Sequence, residues 1–248
     1  MSISSNLWQS KDMASFSVLV RTKNEEKYIE RCLRAIRSQK NIESLEIILI
    51  DNLSTDSTVS KARKYCDQIV SIENFTPGKA LNLGASYANF EFVAIISGHC
   101  IPQSNIWLQE LLRPLIGNKE FSKNIVGVYG RQIPEAESSP LDKRDLWNIF
   151  REEDRLQIRD VFFHNANSLI PHEVLLNYPF DEFVTNVEDR LWGEEMIRKG
   201  FSLYYAAQAA VYHWHGINHA GDVSRADKVV KILEDRGIYN IPAPNFSD

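Results

Sequence analysis

Cysteine is scarce in this sequence: Cys32, Cys66 and Cys100 are the only three in 248 residues, and no two have CxxC spacing. A disulfide framework and a thiolate zinc site are therefore excluded as organising features, and a reducing compartment is the default. A basic excess is missing too. The 28 Lys and Arg against 33 Asp and Glu leave a net charge of −5, which argues against a nucleic-acid-binding surface. No run approaches the roughly 20 apolar residues that cross a bilayer, and MSISSNLWQSKDMAS lacks the basic start and apolar stretch of a secretory signal. A cytoplasmic location is expected, with peripheral attachment at the inner face of the cell membrane left open. There is no Walker GxxxxGK[ST] sequence, internal repeat or low-complexity tract. What is present is a globular composition, 44% hydrophobic and 25% charged, at a length that suits one domain with its own core.

Residues 1–15 are polar and unpatterned and read as a flexible N-terminal segment. FSVLV (16–20) and LEIILI (45–50) are buried-strand runs on either side of a segment with Ile29, Cys32, Leu33 and Ile36 at helical spacing. The rhythm continues with a helix over about 56–65, a strand at 68–72, a helix near 80–88 and a strand at 92–96. Strand and helix in alternation predict an α/β fold with a mostly parallel sheet flanked by helices. Further on the sequence predicts a helix at 107–115, a strand at 126–129, a helix at 142–156, and strands at 161–163, 167–170 and 203–213. The last three strands flank a helix over 188–199. A final amphipathic helix carries Ala226, Val229, Val230 and Leu233, and the tail IPAPNFSD is expected to be irregular.

Polar clusters follow the strand ends, which is where open α/β sheets bind ligands. The first loop offers Arg21, Thr22, Asn24 and Glu25, the second Asp51, Asn52 and Asp56. Asn24 and Asp56 also fit as helix caps. Asp51 directly follows a buried apolar run, where a carboxylate can accept hydrogen bonds from a nucleobase or ribose. TPGKALNLG places Gly78 and Gly84 around Lys79 and Asn82, a loop-to-helix junction where a cation could meet a phosphate. SGHCIP puts His99 after one strand, and VYHWHG puts His213 and His215 after another, on one face by the period of two. Imidazoles from separate strand ends could hold Mn²⁺ or Mg²⁺ with phosphate oxygens and water. His215 and His219 read equally as polar loop residues. Glu188 and Asp189 open a predicted helix, where the dipole favours acids, and beside Trp192 they also suit general-base work on a sugar hydroxyl with the indole as stacking platform.

In this order, over about residues 16–216, these segments resemble the family 2 glycosyltransferases with their GT-A fold. SVLVRTKNEEKYIERCLRAIRSQ with EIILIDNLSTDSTV is similar to the family's opening strand, helix, strand and acidic loop, and VEDRLWGEEMIRKG with LYYAAQAAVYHWHG to its Glu-Asp motif and late histidine. The resemblance implies a GT-A domain over 16–220, with a nucleotide-binding half at 16–116 and an acceptor-binding half at 117–220, and a C-terminal helix and tail at 221–248. It further implies donor contacts from Thr22, Asn24, Glu25, Asp51, Lys79, Asn82, Ser97, Gly98 and Arg131, with Trp192 on the acceptor side. His99 and His213 would be metal ligands, and Asp189 with Glu188 beside it the catalytic base. Many members carry Asp-x-Asp where this chain has Ser97-Gly98-His99. The polypeptide N-acetylgalactosaminyltransferases resemble it in placing a histidine at the third position followed by cysteine, but Ser97 in place of the first Asp removes a charge from the metal site.

The activity implied is inverting transfer of a sugar from a nucleotide-sugar donor to a hydroxyl on a glycan or lipid-linked glycan, in surface polysaccharide or glycan biosynthesis, with no nucleic-acid partner. A catalytically degenerate sugar-nucleotide-binding protein is the alternative. A sugar-nucleotide pyrophosphorylase is a weaker one, because RTKNEE lacks the glycine-rich basic loop that such enzymes carry after the first strand.

Overall fold

The computed structural model describes residues 13–116, 124–216 and 219–237. Near-continuous apolar runs form the first strands, β1 (Ser15–Thr22), β2 (Ser44–Asp51), β3 (Gln68–Ser71) and β4 (Phe92–Ser97). These pair in parallel, β1 with both β2 and β4, and β2 with β3. The crossovers that make this possible carry α1 (Ile29–Arg37), α2 (Thr58–Ala62) and α3 (Pro77–Tyr87). Helix α3 starts where Thr76 Oγ1 accepts the Lys79 N–H and Pro77 occupies the first turn.

Alternation along β1 divides the core into two layers. Val18 and Val20 pack with Ile29, Leu33 and Ile36 of α1 on one face of the sheet, whereas Leu19 packs with Ile50 and with Leu81 of α3 on the other.

The second half adds β5 (Ile101–Pro102), α4 (Trp107–Ile116), β6 (Ile125–Pro134), α5 (Pro140–Ile149), β7 (Arg155–Gln157), β8 (Asn167–Pro171), α6 (His172–Asn177), α7 (Glu188–Arg198), β9 (Ser202–His213) and α8 (Val223–Asp235). Among the described residues, nine strands form one sheet in the order β3-β2-β1-β4-β8-β6-β9-β5, with β7 beside β9. The parallel expectation holds for β1 to β4. Beyond them the sheet is mixed: β8 runs antiparallel to β4 and to β6, and β6 is parallel to β9. Two reversals restore the original direction, so β1, β4, β6 and β9 all end at one edge.

Two sequence expectations are corrected here. Residues 161–163 are not a strand, because the Gln157 amide donates to the carbonyls of Asp160 and Phe162 and the Phe162 N–H donates to the Asp160 carboxylate, while Phe163 turns into the core. The helix expected over 142–156 ends at Ile149. Phe150 caps it with its ring buried, and Leu156 belongs to a strand opposite Tyr204. The expected N-terminal segment lies almost wholly, and the C-terminal tail IPAPNFSD wholly, outside the described residues.

Candidate active site

The strand edge where β1, β4, β6 and β9 end opens into two adjoining cavities of about 370 Å³ and 710 Å³. Arg21, Phe75, His164 and Arg225 line both and form the partition between them.

The smaller cavity holds the imidazoles. Thr22 at the end of β1, Glu25 in the following loop, Ser97 at the end of β4 with His99 beyond it, and His213 at the end of β9 with His215 beyond it all line it. Gly98 brings the end of β4 against β1: its N–H donates to the Arg21 carbonyl (2.8 Å), and a Cβ there would lie 3.0 Å from Thr22 Oγ1. That hydroxyl is buried and makes no hydrogen bond among the described residues. His99 Nδ1 donates to Glu25 Oε1 (2.6 Å), and His213 Nδ1 donates to Gln132 Oε1 (2.6 Å). Gln132 is oriented in turn by its amide nitrogen, 3.0 Å from His164 Nδ1. The two Nε2 atoms of His99 and His213 then face each other at 3.1 Å, with the rings stacked at 9°. Burial and the surrounding imidazoles hold His213 well below the ordinary histidine range, and burial lowers His215 to about 3, so both rings are neutral at pH 7. His99, His213 and His215 form a group whose ligand atoms lie within 4.8 Å of one another.

The larger cavity holds the carboxylates at the start of α7. The chain enters that helix through Val187 in the left-handed region (φ 60°), a conformation that costs a β-branched residue about 1–3 kcal/mol. Glu188 turns inward and is 4% exposed, with Arg21 Nη1 3.2 Å from its Oε1 and the Asn165 amide at 3.4 Å. Asp189 is half-buried. Its Oδ2 accepts from the Asn165 N–H (3.1 Å) and its Oδ1 from its neighbour's Arg190 N–H (2.9 Å). Burial and the adjacent Asp189 push Glu188 up to about 7 against the opposing pull of Arg21. Burial also raises Asp189, partly offset by the Asn165 N–H and by the charges of Arg190 and Arg21.

Of the residues singled out in the sequence, Thr22, Glu25, Ser97, His99 and His213 meet in the smaller cavity and Glu188 and Asp189 in the larger. Arg21, Asn52, His215 and His219 also line the smaller cavity, and Arg21 the larger; Asn24, Asp51, Asp56, Lys79, Asn82, Gly98, Arg131 and Trp192 line neither. Asp51 is 3% exposed, its carboxylate closed on Ser54 through N–H (2.9 Å) and Oγ (2.5 Å). Asn24 sits at φ 54° with its side chain on the Thr55 N–H, tying the first loop to the second. Asn82 is committed to the backbone of Phe180 on both its amide atoms and to Glu182. Lys79 is half-buried beside it.

Arg131 lines neither cavity and donates to the exposed Glu152 (2.8 Å), whereas Arg21 and Arg225 line both. Trp192 is not a stacking platform: it is 2% exposed, its ring packs on Phe163 and Phe180, and its Nε1 donates to the Tyr178 carbonyl (2.8 Å).

Sequence reasoning missed His164 and Arg225 and undervalued His215. His164 follows an apolar pair and shows no spacing to any other ligand, and Arg225 sits in an amphipathic helix where a polar residue attracts no notice. For His215 the signal was there, since the period of two set it on the face of His213.

The fold is that of GT-A glycosyltransferases. A mannosyltransferase from Pyrobaculum calidifontis, solved with GDP-Man and Mn²⁺, superposes with a TM-score of 0.68 at 20% identity over 95% of this chain and 68% of that one. Staphylococcus aureus TarS with UDP-GlcNAc gives 0.62 at 19% identity over 88% and 66%. Residues 17–178, more than half of the chain, match the family model described as Glycosyl transferase family 2, and the chain belongs to that family. Glu188, Asp189, His213 and His215 lie beyond the matched segment. Similar curated proteins are the O-antigen chain rhamnosyltransferase WbaN of Salmonella anatum, 29% identical over 82% of this chain, and glycosyltransferase AglE of Haloferax volcanii, 24% identical over 77%. The chain spans 67% and 64% of their lengths, about two thirds.

Proposed function

We propose that this chain is an inverting glycosyltransferase that moves a sugar from a nucleotide-sugar donor to a hydroxyl of a glycan or lipid-linked glycan during surface polysaccharide assembly. One observation carries the reading. A half-buried carboxylate, Asp189, oriented by two backbone N–H groups, lines a cavity that shares a wall with a pocket ending in paired imidazoles. An acceptor in the larger cavity and a donor diphosphate in the smaller would meet at that shared wall.

The acceptor oxygen attacks the anomeric carbon as the bond from that carbon to the diphosphate oxygen breaks, and the electron pair leaves with the nucleotide. Asp189 takes the proton of the attacking hydroxyl, an effect typically worth ~10²–10⁴-fold. Its two N–H donors keep the carboxylate aimed without neutralising it. Glu188, 3.2 Å from Arg21, holds that arginine in the partition, where its charge faces the leaving diphosphate together with Arg225. His99 and His213 fit a divalent cation, because their Nδ1 protons are tied to oxygens and their Nε2 atoms face each other. Such an ion would supply further positive charge to the diphosphate. Thr22, Glu25 and Ser97 are the donor-side contacts this reading retains.

Among the described residues no helix is long and apolar enough to cross a membrane. A lipid-linked acceptor would bring the chain to the inner face of the cell membrane, and its three unpaired cysteines support a cytoplasmic setting.

The test is nucleotide release from UDP-, GDP- and dTDP-sugars by the purified chain, with and without Mn²⁺. One donor giving release accelerated by a glycan acceptor supports the reading. Binding without release from any donor would make the chain a recognition module, and pyrophosphate-dependent exchange would overturn transfer altogether.

A further inference from the structure

We infer that His215 is a third metal ligand beside His99 and His213, and that the resulting all-nitrogen site selects a zinc-class cation over Mg²⁺. The inference deepens the reading above by naming the class of ion, and it rests on donor chemistry that can be measured without any sugar nucleotide.

Each of the three rings has its Nδ1 committed to an oxygen acceptor: His99 to Glu25 Oε1 (2.6 Å), His213 to Gln132 Oε1 (2.6 Å) and His215 to the Gly216 carbonyl (2.9 Å). A carboxylate, an amide oxygen and a carbonyl accept only, so Nδ1 carries the proton in all three and Nε2 is left to face outward as the ligand atom. Metal-binding histidines are fixed in the same way, by an oxygen on the far ring nitrogen. The consequence is a close approach of two unprotonated ring nitrogens: the Nε2 atoms of His99 and His213 lie 3.1 Å apart, where one cation can bind both. Two nitrogens bound tetrahedrally at about 2.0–2.1 Å from Zn²⁺ lie about 3.3 Å apart, close to that separation. The ring of His215 completes the set, 4.8 Å from His99 and 4.3 Å from His213 between centroids.

The donor set decides the ion. Imidazole suits Zn²⁺ and its neighbours, whereas Mg²⁺ demands oxygen ligands. Of the cavity's oxygen-bearing side chains beside the imidazoles, Ser97 offers only a hydroxyl, and Glu25 is occupied with His99. Three imidazoles leave a fourth tetrahedral position open, the arrangement of a site that admits a ligand oxygen.

The experiment uses the tag-free full chain, stripped with chelator and titrated with Co²⁺ and then Zn²⁺. The expected result is one ion per chain, a strong visible spectrum of four-coordinate Co²⁺, displacement by Zn²⁺ and none by excess Mg²⁺. H215A should lose the four-coordinate spectrum and bind at least ~10–100-fold more weakly, and E25Q should weaken binding within that range while keeping the spectrum. A faint six-coordinate Co²⁺ spectrum in the unaltered chain, displacement by Mg²⁺, or H215A with unchanged affinity and spectrum would overturn the proposal. So would absence of uptake, the outcome if a single proton shared between His99 and His213 relieves their contact. None of these outcomes depends on transfer activity, so the metal assignment can fail while the transferase reading stands.

Discussion

Glu188 and Asp189 are neighbours in sequence with opposite surroundings: the first is buried against Arg21, the second faces a cavity with its oxygens on N–H donors. Burial and the adjacent Asp189 raise Glu188 to about 7 and burial raises Asp189, so the pair holds a proton below neutrality and becomes fully ionised only above it. A base must be ionised to accept a proton, so the transfer rate should climb as pH rises through about 7 and level off above. In E188Q the group that titrates near 7 is gone and the climb should shift to lower pH; a profile that stays in place would remove Glu188 from this role.

Trp192 marks the limit of reading at this scale. Its place beside an acidic pair suggested a sugar platform, but in the helix it lies four residues from Met196 on the face that both carry into the core. Chemical neighbours in sequence do not reveal which face a helix turns inward. W192A should therefore cost about 3–5 kcal/mol of stability in denaturant melts, the range for an emptied core aromatic. W192F should keep most of the transfer activity, an outcome a stacking role would not allow.

At the scale of elements, alternating strand and helix patterns made β1 to β4 legible, because each strand is a buried apolar run and each helix has one apolar stripe. The second half resisted for physical reasons. β5 and β7 are two and three residues long, too short to show a period, and β8 reverses direction without any local sign. The convergence of His99 with His213 depends on the β6–β9 pairing, which is irregular between Gly130 and Gln132. At Gly130 a Cβ would fall 2.0 Å from the Ala209 carbonyl and 2.4 Å from the Asn167 amide, backbone and a buried side chain that cannot yield. G130A should lose about 1–3 kcal/mol of stability, the usual cost of overpacking, read from chemical denaturation. It should also loosen Gln132 and His213 together. Unchanged stability would mean that the strand pair tolerates a shift there.

For the whole molecule, the sheet separates two packed layers and gathers the ends of four strands at one edge, leaving two cavities that no single loop builds. Helix α8 forms part of the wall of the larger cavity: Val223, Ala226, Val229, Val230 and Leu233 line it, with Val223 and Val230 also exposed to solvent. That helix was visible in the sequence as an amphipathic stripe, but its position over the site was not, since distance along the chain carries no information about which edge a terminal helix covers. Arg21, Phe75, His164 and Arg225 join the two cavities into one cleft, and the account rests on chemistry across that partition. Its most direct test is a comparison of D189N with the unaltered chain, donor affinity by calorimetry beside turnover by nucleotide release. The account predicts equal donor affinity and turnover reduced by at least ~10²-fold; turnover within a few-fold of the unaltered chain would contradict it.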